Sequence, residues 1–237
     1  MSQTPRKQNF LQGTALLAMA TVVVKLIGAL YKIPLNAIIG PEGFSYFNTA
    51  YEIYNVLLMI STAGLPVAMS RMVSEASTLG NYNQVRRIYA TARTLFMTIG
   101  LVCSVLMTFF CRQLAEFQHQ PDAWAAIGAL GPCVLLICIM STFRGFFQGQ
   151  GNMIPTSISQ VLEAVVKLLA GMLTALALLK LTNSIPLAAG GAILGVTISC
   201  IVSSLFLLGR FRKAYQVLPV TDDQPLPFWT TAKKLLK

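Results

Sequence analysis

Charge is what this sequence has least of. Only 11% of its 237 residues are Asp, Glu, Lys or Arg, whereas a soluble domain carries roughly a quarter to cover its core with a wet surface. Acidic residues number eight and histidine one. That scarcity excludes most catalytic constellations: there is no His–acid pair, no nucleophile elbow and no HExxH-type cluster, so an enzyme is disfavoured and no cofactor is implied. The five cysteines (Cys103, Cys111, Cys133, Cys138 and Cys200) form no CxxC pair and no metal-ligand spacing with His119, which argues against both zinc and disulfides.

In place of charge the chain has apolar length. Its residues are 55% hydrophobic with a mean hydropathy of +0.65, and several windows of about 20 residues hold almost no charge, the length of a bilayer span. Six spans are expected, at about 10–33, 44–70, 91–111, 124–143, 156–179 and 187–208. Pro34 and Gly40-Pro41 are expected to end the first, and Gly131-Pro132 to kink the fourth. Ala18-Met19-Ala20 resembles a leader cleavage site, but the apolar pattern continues past it, which favours a retained helix. The fold class is therefore all-α membrane protein: residues 1–209 form a six-helix lobe, and 210–237 a cytoplasmic or interfacial linker. In that linker Phe228, Ala232 and Leu235 share one helical face opposite Lys233, Lys234 and Lys237, a pattern suited to the membrane interface.

The net charge of +10 would suggest a nucleic-acid partner in a soluble protein. Here the basic residues fall between the spans instead. With the N-terminus inside, Arg6, Lys7, Arg71, Arg86, Arg87, Arg93, Arg144, Arg210, Arg212, Lys213, Lys233, Lys234 and Lys237 are cytoplasmic, and only Arg112 and Lys180 are outside. The imbalance puts both termini of the chain in the cytoplasm of a multi-pass protein of the cytoplasmic membrane, and leaves no nucleic-acid partner.

A few ionisable residues remain within the spans, where each is costly if it faces lipid. Thr14, Thr21, Lys25, Gly28 and Lys32 recur at helical steps in the first span. Asn48, Glu52 and Asn55 do so in the second, and Thr156, Gln160, Glu163, Lys167, Gly171 and Thr174 in the fifth. Each set lies within one narrow arc of its helix. Glu163 and Lys167, spaced i, i+4 with the acid first, could neutralise each other in place. Lys25 has no acid on its own helix; Lys25 and Lys32, one above the other, suit an anionic phosphate or diphosphate or, alternatively, pair with Glu52. Gly145 and Gly149 form a GxxxG, which lets helices approach closely. No Lys-Ser/Thr follows these glycines, so the segment is not a P-loop.

Particular segments carry a family resemblance: Lys25-Leu-Ile-Gly28, Gly40-Pro-Glu-Gly43, Leu79-Gly-Asn-Tyr82 before Arg86-Arg87, Arg144-Gly-Phe-Phe-Gln-Gly149, Met153-Ile-Pro-Thr156 and Ser159-Gln-Val-Leu-Glu163. Over nearly its whole length the chain resembles the polysaccharide biosynthesis / stage V sporulation protein B family. That family belongs to the multidrug/oligosaccharidyl-lipid/polysaccharide exporter superfamily, which includes the lipid II flippases. The resemblance implies one lobe of a two-lobed exporter fold, with a C-terminal lobe missing from this sequence. It implies a lipid-linked saccharide as substrate, moved by alternating access among membrane lipids. Lys25 occupies the place of a cavity cation in the first helix, and the next such cation falls on Tyr31 or Lys32, a departure from the pattern. The expected cavity residues are Lys25, Lys32, Glu52, Asn48, Asn55, Gln160, Glu163 and Lys167, with Gly28, Arg144, Gly145, Gly149 and Pro155 in packing or gating. A cation-coupled multidrug exporter and a non-transporting scaffold for cell-wall assembly are the alternatives.

Overall fold

A computed structural model describes residues 10–62 and 64–235; Arg6, Lys7 and Lys237 lie outside the described residues. Among these, all regular structure is helical: α1 (Phe10–Thr62), α2 (Leu65–Thr78), α3 (Tyr82–Phe109), α4 (Cys111–Phe117), α5 (Trp124–Gly149), α6 (Ile154–Thr182), α7 (Ile185–Gln216) and α8 (Phe228–Leu235), with a 3₁₀ turn at Pro121–Ala123. Five helices, α1, α3, α5, α6 and α7, are long and apolar enough to cross a membrane. The protein is an all-α multi-pass membrane protein, as the apolar runs imply.

α1 holds 53 residues. Straight, it would extend about 80 Å, well over twice the hydrocarbon thickness. It is not straight. Gly40 adopts φ 73° and ψ 173°, a conformation open to glycine and strained for other residues. The chain doubles back there. The Tyr31 and Phe47 rings meet at a tilt with centroids 6.0 Å apart, although 16 steps of helix would separate them by about 24 Å. Pro34, expected to end the first span, lies inside the helix instead. An apolar environment and neighbouring helices tolerate the one lost backbone bond, and the reversal waits for the positive φ six residues on.

The core is organised around α5. Ile127, Leu130, Cys133, Val134, Cys138, Met140 and Phe146 of this helix are essentially inaccessible, packed between α2, α3 and α7. The Cys133 and Cys200 thiols touch at 3.2 Å between α5 and α7. α2 joins at the far end through the GxxxG pair: a Cβ on Gly149 would lie 2.6 Å from Val73 Cβ, and one on Gly145 3.1 Å from Met69 Sδ. α6 and α7 pack closest of all, since a Cβ on Gly195 would run into the Gly171 backbone. Half the apolar window is buried in α5 and in α7 (50% each), against 11% in α1 and 17% in α6. α1 and α6 thus form the open flank of the lobe.

Each end of the bundle has its own lock. At one end, Gln120 accepts the Thr49 hydroxyl at 2.7 Å and donates to Ser45 at 2.9 Å, while the Tyr46 hydroxyl donates to Glu42 at 2.8 Å. At the other, Tyr89 stacks on Phe211 at 4.3 Å, with Phe146 and Tyr215 against the same ring. Beyond α7 the chain turns back. Asp223 accepts the backbone N–H groups of Asn83 (3.2 Å) and Gln84 (2.9 Å) at the start of α3, Gln84 accepts the Leu226 N–H at 2.7 Å, and Arg86 donates to the Leu218 carbonyl at 2.8 Å. Ala232 and Leu235 of α8 are buried, and α8 packs on α3 and α2. The apolar face of this amphipathic helix is therefore taken up by protein, and Lys233, Lys234 and Trp229 point outward.

Candidate functional site

Three ionisable residues, Arg144 of α5 and Glu163 and Lys167 of α6, come together at the open flank. Arg144 sits in the last turns of α5, five residues before its end, because the apolar pattern of that helix runs on through Phe146 and Phe147. Its side chain reaches α6, where Nη2 meets Glu163 Oε2 at 2.8 Å and Nε donates to Ser159 Oγ at 3.1 Å. Ser159 and Glu163 are one turn apart, so a single guanidinium spans both. The two charged side chains are 19% and 25% exposed, and this is the sole salt bridge among the described residues.

Around this pair lies a pocket of about 210 Å³, lined by Thr21 and Val24 of α1, Arg144, and Gln160, Glu163, Ala164 and Lys167 of α6. Lys167 lies one turn beyond Glu163 and forms no salt bridge with it; Arg144 has taken the carboxylate. Gln160 Oε1 is buried without a hydrogen-bond partner, an unmet acceptor in a polar cleft. Two cations against one anion leave the pocket with a positive excess.

Of the residues expected to line a cavity, the fold brings Gln160, Glu163 and Lys167 together. Lys25 and Lys32 are exposed on α1 and lie outside this pocket, as do Glu52 and Asn55, while Asn48 is half-buried. Tyr31 belongs to the lobe interior: it is 2% exposed, its hydroxyl faces the Ala192 carbonyl at 3.4 Å, and Gly171 makes room for it. Of the two positions for a second α1 cation, then, only Lys32 faces outward. Pro155 is buried in the first turn of α6. The position of a Cβ on Gly28 meets nothing within 4 Å, so no helix of this lobe packs on it. Sequence reasoning placed Arg144 in a connecting segment and missed its role in the pocket. The signal was there, in Phe143 before it and Phe146-Phe147 after it.

The fold matches about half of a larger solved structure. A MOP superfamily transporter from Pyrococcus furiosus, described for the reversed polarity of its binding pocket, matches with a TM-score of 0.78 over 99% of this chain and 53% of its own, at 14% identity. At that identity the likeness is one of fold. Residues 10–222 match the polysaccharide biosynthesis protein family, and the chain belongs to that family. Stage V sporulation protein B of Bacillus subtilis (strain 168) is 32% identical over 207 residues, covering 87% of this chain and 40% of its own length. Lipid II flippase MurJ of the same strain is 27% identical over 197 residues, covering 79% of this chain and 35% of its own. The chain thus spans less than half the length of the relatives it matches.

Proposed function

We propose that this chain is the N-terminal lobe of an exporter that carries an undecaprenyl-diphosphate-linked saccharide, lipid II or another polysaccharide repeat unit, across the cytoplasmic membrane by alternating access. In this reading a C-terminal lobe closes the open flank of α1 and α6, and both ends of the present chain face the cytoplasm. The observation that carries it is the sign of that flank. Arg144 and Lys167 outweigh Glu163 in the pocket, and Lys25 and Lys32 are exposed on α1, the other helix of that flank. In a medium of low dielectric such an excess favours a diphosphate and rejects an organic cation. Lys25 and Lys32 hold the diphosphate; Asn48, Glu52, Asn55 and Gln160 accept the hydrated sugar; the polyprenyl tail stays in the bilayer. Membership of the polysaccharide biosynthesis protein family supports the same substrate class.

The test is a flipping assay on the complete transporter. Lys25→Ala should abolish translocation of the lipid-linked saccharide while leaving expression and membrane insertion intact. Normal flipping by that variant would remove Lys25 from the site. Transport of a lipophilic organic cation, with no flipping, would point instead to a drug exporter.

A further inference from the structure

A second groove lies away from the polar pocket, between the start of α6 and the end of α7. It measures about 180 Å³ and is lined by Asn152, Ile154, Pro155, Ile158 and Arg210. Its walls are apolar and open: Ile154 is 43% and Ile158 42% exposed. Its rim is polar. Arg210 forms no salt bridge among the described residues, and its guanidinium lies 5.7 Å from the centre of the Phe206 ring. Asn152 is exposed and its Oδ1 accepts the Ile154 N–H at 3.3 Å, so its amide NH₂ remains as a donor.

The position on the helices is informative. Leu205, little more than one turn before Arg210, is 62% exposed, and Ile201, one turn earlier, 43%. Arg212 and Lys213 follow Arg210. The groove therefore straddles the level at which a lipid-facing apolar surface gives way to basic residues, where arginine extends its head to the interface. Basic clefts between membrane helices at this level suit a phosphate headgroup, with the apolar wall receiving an acyl chain.

We infer that this groove is a binding site for an anionic glycerophospholipid, with its phosphate between Arg210 and the Asn152 amide and one acyl chain along Ile154, Pro155 and Ile158. It is separate from the transport pocket and does not rest on the identity of the transported substrate. A single phosphate and a single cation match in charge. A free phosphate ion would gain nothing from the isoleucines, so the occupant is the lipid itself.

The experiment is native mass spectrometry of the full chain released from nanodiscs of equal phosphatidylglycerol and phosphatidylcholine. The intact chain should retain phosphatidylglycerol selectively. Arg210→Gln should lower that selectivity about fivefold, the effect of one cation near the membrane surface. Ile158→Trp, which fills the acyl wall without changing charge, should also displace the lipid, whereas Arg212→Gln should not. Thermal melts in detergent establish that each variant is folded. Equal losses in Arg210→Gln and Arg212→Gln would mean that diffuse basic charge attracts the lipid, and would overturn the site. So would displacement of the lipid by inorganic phosphate, or photo-leucine at position 154, which keeps the acyl wall apolar, capturing protein rather than phospholipid.

Discussion

Arg144 and Glu163 hold each other in a place that neither could occupy alone. Removing one partner from a largely desolvated pair strands the other charge. Glu163→Gln should therefore lower stability by about 1–3 kcal/mol, read as an earlier detergent melt. Replacing both with methionine should restore most of that loss, because a shape-matched apolar pair leaves no orphan charge. The double variant keeps the pocket's single excess positive charge on Lys167, so any flipping it loses reports the placement of the pair rather than net charge. If the double variant melts as early as the single, the pair contributes packing rather than charge balance. The same residue marks the limit of sequence reading. The i, i+4 spacing of Glu163 and Lys167 offers a local partner, and only the fold shows that a guanidinium 19 residues away reaches the carboxylate.

At the scale of helices, the pattern of apolar runs was legible because a membrane leaves little choice: backbone groups must be satisfied within the helix. The position of the reversal in α1 was legible only in part. Pro34 and Gly40 are both breakers in sequence, but proline costs one bond whereas the turn needs a positive φ, and Gly40 supplies it. The two glycine contacts were not equally readable. Gly145 and Gly149 announce themselves by spacing, whereas Gly171 and Gly195 lie on different helices and meet only in three dimensions. Gly195→Ala should push α6 from α7, since its Cβ would strike backbone that cannot give way. A loss of about 1–3 kcal/mol is expected, seen as a lower melting temperature. An unchanged melt would mean the two helices slide apart at little cost.

The segment after α7 gives the element-scale pH dependence. Desolvation pushes the Asp223 carboxyl up, but the Thr221 hydroxyl and the Gln84 and Asn83 backbone N–H groups favour the anion and outweigh it, holding the carboxyl below its usual range. A depressed folded value means that the contact is complete at neutral pH and throughout the ordinary carboxylate range, near ~4. It is lost only as pH falls through the lowered value. With Trp124→Phe as background, Trp229 on α8 reports docking by fluorescence. The signal should hold down to about pH 4 and change below it. In Asp223→Ala the change should already be present at pH 7. A flat profile in both would show that the aliphatic face of α8 docks unaided.

For the molecule as a whole, the uneven burial of its helices is the main result. α5 and α7 are core, α1 and α6 are flank, and the flank carries the polar groups. Composition and spacing were enough for the class, because a chain with so little charge and such long apolar runs cannot keep a wet surface and must be solvated by lipid. The motif-bearing segment from Arg144 to Glu163 was enough for the family. Neither could show which polar residues share a pocket. Lys25 and Lys167 both look like cavity cations along the chain, yet only Lys167 lines the cleft beside Arg144. Beside the loss expected of Lys25→Ala, Lys32→Ala should reduce flipping, and Lys167→Ala should weaken substrate binding with less effect on stability than Glu163→Gln. Identical phenotypes for Lys167→Ala and Glu163→Gln would place both in structural support.

The clasp of residues 217–227 on α3 has a mechanical consequence. Eleven residues of extended chain could reach roughly 36 Å, a slack tether from the end of α7. Asp223, Gln84 and Arg86 take up that slack, and α8 is pinned at the α2–α3 corner. Any polypeptide continuing past Leu235 would be launched from that corner, and a pull on it would be felt first by α3 rather than by α7. The joint is a rigid bracket, so this lobe would be steered from its rim.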